Sequence, residues 1–434
     1  MKKRFFSIVL LLSVAFQCIV VPAAQQTEIT QNGQQYAIQK FASTQNDSDN
    51  WYYLSTKQKL EDMNYLYQTL EENYPYINML KRMYGIDLKQ EYQKAIKEIE
   101  NSKTDLDFYM IVNRFTNKSN MVGHLSTISP FDYDWFVKGY ADTTGVPEFY
   151  WEQMKKIENI YANKKSQKTY TALKNKLLPL YQKAQQNQMQ EQNTVKTSNV
   201  ETKIIEKDKI AYIYVDSFDM SYYEEDKKKL FDFYEKVKDY DNIIFDFTQN
   251  GGGGMFYFND LIVAPNIDEI LYTGVYELMQ SGKYNIQFLG DDNFEPISKL
   301  PKLPNMNQED LKELDLMLKS VYFVEPSKEQ KTLKGKIWIL VNENVFSSSE
   351  YAAMFSKATG FATLVGERTG GDGIGSDPLP IALPNSGIIV RYSPIYGITL
   401  DGTNSQEFGT EPDIYTKEGK TYLQTCIDAI KNKI

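Results

Sequence analysis

The sequence predicts an α/β protein: a mixed sheet with βαβ units and flanking helices, preceded by a small helical domain. Three observations carry this. Residues 52–128 space their apolar side chains at a helical period. From Ile204 onward, short β-branched and aromatic runs alternate with amphipathic stretches, the strand–helix–strand order that builds a parallel sheet. Lys336 to Phe355 then joins a buried-strand run, Ile337 to Val341, to a small-residue helix face (Ala352, Ala353, Phe355, Ala358) through a serine cluster.

Residues 1–24 read as a secretory signal and stand outside the fold. Lys2-Lys3-Arg4 is basic, Phe5 to Phe16 is apolar, and Val21-Pro22-Ala23-Ala24 offers small residues for cleavage. Cys18 follows Ala15-Phe16-Gln17, a poor lipoprotein box, so cleavage is favoured over lipid attachment; retention as an N-terminal anchor is the alternative. Residues 25–50 form a polar, flexible arm. Residues 51–130 are the helical module. Ser55 caps a helix with Leu60, Met63, Tyr67 and Leu70 on one face, stopped at Pro75. Leu88 to Ile99 is a second helix, and Thr104-Asp105 opens a third carrying Phe108, Ile111, Val112 and Phe115. The module ends at Val122 to Ile128, where Gly123 turns the chain and His124 follows.

Residues 131–200 keep a helical period, aromatic at first and rich in Lys and Gln later, and read as an insertion or linker. The core spans 201–434. Ile210 to Asp216 is a strand, Glu224 to Tyr240 an amphipathic helix with Leu230 and Val237 inward, and Asn242 to Phe247 a second, buried strand. A glycine run follows, then an apolar helix from Met255. Residues 275–333, with Pro296, Pro301 and Pro304, are expected to be an irregular insertion over the site. Strands at 362–366 and 388–392 complete the pattern.

The chain is acidic, with a formal charge of −9 that becomes −12 once the leader and its three cations are removed. No basic groove for nucleic acid is expected from such a balance. The mature chain keeps a single cysteine, Cys426, which excludes a disulfide framework and a cysteine metal site. His124 is the only histidine, so a His-rich zinc centre is excluded as well. No cofactor and no metal are expected. Apart from the leader, no segment is apolar enough to span a membrane. The expected location is extracellular or in the cell envelope.

Asn250-Gly251-Gly252-Gly253-Gly254 lies at a strand end, yet no Lys-Ser/Thr follows it and no phosphate-loop spacing is present. Its use would be close backbone approach and outward N–H groups able to hold an oxyanion. Ser347, Ser348 and Ser349 stand where a strand ends and a helix begins. A serine cluster there is by default a cap, but the free N–H groups and helix dipole also favour an anion. His124, as the only imidazole, is the sole candidate for a histidine base. Glu407 sits in a polar turn, Asp401 to Asp413, where a carboxylate alone means little.

In order, these pieces resemble one family. Asp246-Phe247-Thr248-Gln249-Asn250-Gly251-Gly252-Gly253 is similar to its Asp-Leu-Arg-x-Asn-Gly-Gly-Gly motif, and Phe346-Ser347-Ser348-Ser349-Glu350 to its Ala-Ser-Ala-Ser-Glu motif. Gly366 to Gly371 resembles Gly-Glu-x-Thr-x-Gly, and Asp401-Gly402 with Glu407, Gly409 and Pro412-Asp413 resembles the closing motif. The family is that of C-terminal processing, or tail-specific, serine proteases, which includes the core domain of tricorn protease. The likeness covers about residues 200–418 and implies a core of the ClpP/crotonase type.

The resemblance implies a secreted serine peptidase acting on a peptide or protein. It assigns Ser347 as nucleophile, with the Ser348 N–H and a glycine N–H, Gly252, as oxyanion hole; Gly251 and Gly253 would meet the substrate. The commonest branch places a general-base lysine after Gly-Glu-x-Thr-x-Gly, where this chain has Asp372. No Ser–Lys dyad is then left. Tricorn-like members use Ser, His and Glu instead, which implies His124 as base and Glu407 as third member. Arg391 or Arg368 would suit a substrate carboxylate, because arginine binds carboxylates bidentately. No PDZ signature is present. A non-catalytic peptide or hydrophobic-ligand binder on the same scaffold is the alternative.

Overall fold

The computed structural model describes residues 54–186, 198–327 and 332–432; the leader and the polar arm lie outside them. The helical module begins as expected. The Ser55 hydroxyl accepts the Gln58 N–H, and Gln58 returns its side-chain oxygen to the Ser55 N–H, a reciprocal cap that starts the helix Thr56–Asn73. Met63, Leu66 and Leu70 are buried along it. Helices Ile77–Tyr84, Leu88–Asn101 and Asp105–Asn117 follow, the last two capped by Asp87 and Thr104. A 3-10 turn, Val122–His124, leads into the short strand β1 (Ser126–Thr127). Residues 131–186 are helical, with Tyr133–Ala141, Trp151–Tyr161 and Lys164–Gln186. Aromatic stacking draws the first and last together, Tyr133 on Tyr170 at 4.3 Å between ring centres.

The central sheet has six strands: β2 (Val200–Glu206), β3 (Ile210–Val215), β4 (Asn242–Asp246), β8 (Lys336–Val341), β9 (Thr363–Gly366) and β13 (Ile414–Tyr415). Their spatial order is β13-β9-β8-β4-β3-β2, parallel except for β2. The helix Tyr223–Val237 connects β3 to β4, and Ser348–Thr359 connects β8 to β9. The C-terminal helix Tyr422–Lys431 covers the opposite face, burying Cys426 among Ile244, Trp338, Leu340 and Val365. Asp246 of β4 pairs with Leu340 of β8. The glycine run after β4 and the serine turn after β8 therefore leave the sheet side by side, at the carboxyl edge where open α/β sheets bind ligands.

Two smaller sheets complete the core. β5 (Leu271–Met279), β6 (Glu295–Pro296), β7 (Leu316–Val324) and β12 (Tyr396–Thr399) pair antiparallel in the order β12-β5-β7-β6. The stretch expected to be irregular thus supplies β6, β7 and most of β5. Met317, Ser320, Tyr322 and Val324 of β7 are buried, but Ser320 on the inner face and the prolines upstream hide the strand from a hydrophobicity pattern. β10 (Leu379–Ala382) and β11 (Ile389–Tyr392) pair with each other, and β11 also takes β1. Ser126 is opposite Arg391. This pairing carries the residues just after His124 onto the core. No helix among the described residues is long and apolar enough to cross a membrane.

Candidate active site

The turn after β8 is held by its own polar groups. The Asn342 carbonyl accepts from the Val345 N–H at 3.0 Å and its side-chain oxygen from the Asn344 N–H at 3.0 Å. Ser347 follows at φ 59° and ψ −127°. That conformation is costly for an L residue and persists only when its surroundings enforce it. Here the Ser347 N–H donates to the Gly371 carbonyl at 3.0 Å, and its carbonyl accepts the Tyr351 N–H at 2.9 Å. Ser347 occupies the cap position of the following helix, but its hydroxyl caps nothing. It faces the ring of His124, Oγ to Nε2 3.2 Å.

The other ring nitrogen, Nδ1, lies 2.5 Å from Oδ2 of Asp372 and 3.1 Å from the Ser393 hydroxyl. An ionised carboxylate only accepts, so Nδ1 carries the proton and Nε2 presents its lone pair to the serine O–H. The side chains of His124 and Asp372 are each about 4% exposed, and Ser347 is 2% exposed. The Phe346 ring packs on the imidazole with centres 5.0 Å apart. Six described non-glycine residues have positive φ, and three of them are Ser347, His124 and Asp372. Backbone strain is gathered at the site.

Asp372 comes from the position where the commonest branch of the resembling family has its lysine. Its loop is anchored by one short turn, Ser405–Phe408. The Ser405 carbonyl accepts the Asp372 N–H at 3.3 Å and the Ser405 hydroxyl accepts the Gly373 N–H at 2.8 Å. Next to it, the Gln406 side-chain oxygen accepts the Gly123 N–H at 2.8 Å. One turn therefore fixes both the carboxylate and the histidine loops. Glu407, the third member implied by the resemblance, does not face the ring. Its carboxylate is taken by Arg82 of the helical module, at 2.6 and 2.7 Å, and the same guanidinium reaches Asp310 at 2.7 Å. Nothing in local spacing ties Asp372 to the histidine; its place in the lysine position is the available signal.

The glycine run lies against the serine turn. A Cβ on Gly252, whose φ is +114°, would fall 3.1 Å from both the Ser347 Cβ and the Ser348 nitrogen and 2.9 Å from the Phe346 oxygen. Only glycine permits this approach. The Ser348 hydroxyl donates to the Gly253 carbonyl at 2.6 Å, locking the two segments. The Gly252 N–H donates to the Asn250 side chain at 2.9 Å, whereas the Gly253 N–H has no acceptor among the described residues. Arg391 is buried in β11, and Arg368 pairs with Glu411 on the surface. Among the described residues no group of three or more potential ligands could hold a metal ion.

Two carboxyl groups flank the Asp372 loop without reaching the His124 ring. Burial pushes Glu350, 1% exposed, up to about 8, against the Thr369 and Thr410 hydroxyls and with the help of the nearby Asp372 charge. Burial likewise pushes Glu277 up to about 8; the Tyr322 hydroxyl donates to it at 3.0 Å and also accepts the Gly375 N–H. Both are neutral in the folded protein while an unfolded glutamate ionises near 4.5. Their stabilisation is complete below about pH 4.5 and is lost as pH rises through about 8, on the order of a few kcal/mol for each group. Thermal midpoints at pH 6 and pH 9 should therefore fall with pH, and Glu277→Gln should flatten the fall; an unchanged slope would contradict a proton on this carboxyl.

Residues 209–416 match the family model described as peptidase family S41. The comparison with curated proteins gives no match. Among solved structures, a candidate peptidase from Parabacteroides merdae is 18% identical, with 87% of this chain and 97% of that chain covered and a TM-score of 0.51. A mutant of CPAF is 12% identical over 87% of this chain and 96% of that chain, with a TM-score of 0.50. The photosystem II D1 C-terminal processing protease aligns over 55% of this chain and 54% of that chain, at 14% identity and a TM-score of 0.34. The first two likenesses bear on the fold, and they extend it across the helical module as well as the matched core.

Proposed function

We propose that this serine-type peptidase, whose residues 209–416 match peptidase family S41, uses Ser347 as its nucleophile, His124 as its general base and Asp372 as the carboxylate that orients the imidazole. The observation that carries this reading is the unbroken path Asp372–His124–Ser347, at 2.5 and 3.2 Å, built from three distant parts of the chain. His124 Nε2 takes the hydroxyl proton as Oγ attacks the peptide carbonyl, and returns it to the departing amine. Asp372 keeps Nδ1 protonated and stabilises the imidazolium. Water then repeats the attack on the acyl-enzyme with the same base.

The oxyanion is held by the Ser348 N–H and by the glycine run. With the Gly252 N–H committed to Asn250, a Gly251 or Gly253 N–H is the donor that the run has left to offer. One such donor is worth roughly 3–4 kcal/mol when removed. The substrate is a peptide or protein, and the leader at 1–24 supports an exported enzyme, extracellular or in the cell envelope. The test is a fluorophosphonate probe followed by peptide mapping. Folded protein should carry the adduct on Ser347, and Ser347→Ala protein should carry none. Folded protein that stays unlabelled would favour the ligand-binding alternative.

A further inference from the structure

The loop that carries Asp372 has little of its own to fix it. Four of the six residues 370–375 are glycine, and Gly371 and Asp372 have φ of +95° and +62°. Glycine-rich backbone loses the most freedom on ordering, so such a loop keeps one conformation only where its neighbours impose it. The Ser405–Phe408 turn grips its first half. Its second half meets the four-stranded sheet β12-β5-β7-β6. Ile374, 1% exposed, lies against β12, where a Cβ on Gly397 would collide with its carbonyl oxygen. The Gly375 N–H donates to the Tyr322 hydroxyl of β7 at 3.2 Å.

Glu277 gives that grip a direction. Tyr322 accepts from Gly375 and donates its own proton to Oε1 of Glu277 on β5, at 3.0 Å. With the proton drawn toward Glu277, the lone pairs of the phenol oxygen are left for the loop. Glu277 is fully buried and is a costly residue to keep there. Ser320 on the same face is near enough to favour a charge on it, yet Oε2 has no hydrogen-bond partner among the described residues. A buried carboxyl group with an unpartnered oxygen costs more than an apolar side chain of similar volume. The Tyr322 ring also meets Tyr351 edge-on, with centres 5.6 Å apart, and the Tyr351 N–H is the donor on the Ser347 carbonyl. Tyr322 thus contacts both the Asp372 loop and the helix that Ser347 opens.

Resting on the triad proposed above, we infer that Tyr322 is a positioning residue for Asp372, and that Glu277 fixes the direction of its hydroxyl. The four-stranded sheet is then the platform on which the carboxylate is aligned with Nδ1 of His124. The buried acid is kept because its acceptor oxygen holds the phenol to the loop, a role that an apolar residue in β5 does not fill.

The test is Tyr322→Phe, which keeps the ring and removes the oxygen. On a quenched fluorescent peptide kcat should fall about 10–100-fold with KM changed less than about 2-fold, the size that a small misplacement of a catalytic group produces. The chain has one histidine, so the proton between Nδ1 and Asp372 gives a single deshielded resonance in the proton NMR spectrum. That resonance should move upfield in Tyr322→Phe and stay in place in Glu277→Gln, whose amide oxygen still accepts the phenol proton. Glu277→Met removes the acceptor and the buried carboxyl together. Its kcat and its resonance should follow Tyr322→Phe while its thermal midpoint at pH 7 does not fall, a split that lost packing would not produce. An unmoved resonance with kcat within about 3-fold of the parent overturns the inference. Tyr322→Phe decides this, or Glu277→Met where Tyr322→Phe does not fold. Failure of the peptidase reading is seen separately, as absence of the Ser347 adduct, and leaves the resonance readable.

Discussion

His124→Ala protein is expected to lose peptide hydrolysis as completely as Ser347→Ala protein, with kcat/KM on a quenched fluorescent peptide down roughly 10⁴–10⁶-fold in each case. The chain contains one imidazole. No neighbouring histidine can take over the proton, and the position that could have offered a lysine holds Asp372 instead. Because the two residues act as a unit, the double variant should be no slower than either single one. The residual rate should be what backbone donors and substrate placement alone supply. A His124→Ala protein that kept more than a few per cent of activity would show that the proton leaves by another route, and the base would have to be sought elsewhere.

Asp372→Asn is expected to cost about 10⁴-fold in kcat with little change in KM, the size seen when the carboxylate of a Ser–His–Asp arrangement is replaced by its amide. The amide can donate to Nδ1, which then holds no proton, and Nε2 becomes a donor facing a serine it can no longer deprotonate. Glu407→Gln tests the competing assignment. Its carboxylate is bound to Arg82, with Asp310 on the same guanidinium and the Tyr396 hydroxyl on Asp310 at 2.7 Å. Loss of that contact should lower the thermal midpoint and loosen the Ser405–Phe408 turn, with a smaller kinetic effect than Asp372→Asn. Should the ranking invert, Glu407 would be the orienting carboxylate and the arrangement seen here a resting state.

The parts of the site that sequence reasoning reached were those written into short, contiguous patterns. The serine after an apolar strand and before a small-residue helix could be found because strand end, turn and helix start are local events. The glycine run at the end of β4 was found for the same reason. Spacing alone gives three helices of the helical module, down to the Ser55 cap, but not Ile77–Tyr84, which is only 8 residues long. What could not be read was the pairing of groups across long separations. Asp372 and His124 are 248 positions apart, and Gln406 reaches Gly123 across 283. A turn in which Ser405, Gln406 and Glu407 each grip a different partner offers three polar side chains in a row, and periodicity does not say which goes where. β7 was missed for another reason: its inner face includes Ser320, and the buried Glu277 of β5 stands across the same sheet.

The positive φ shared by Ser347, His124 and Asp372 separates endurance from competence. Each of these backbones sits where glycine rests without penalty and an L side chain does not. A glycine at any of the three would relieve the backbone and remove a side chain that the proposed chemistry needs, so at these positions stability and the proposed activity pull in opposite directions.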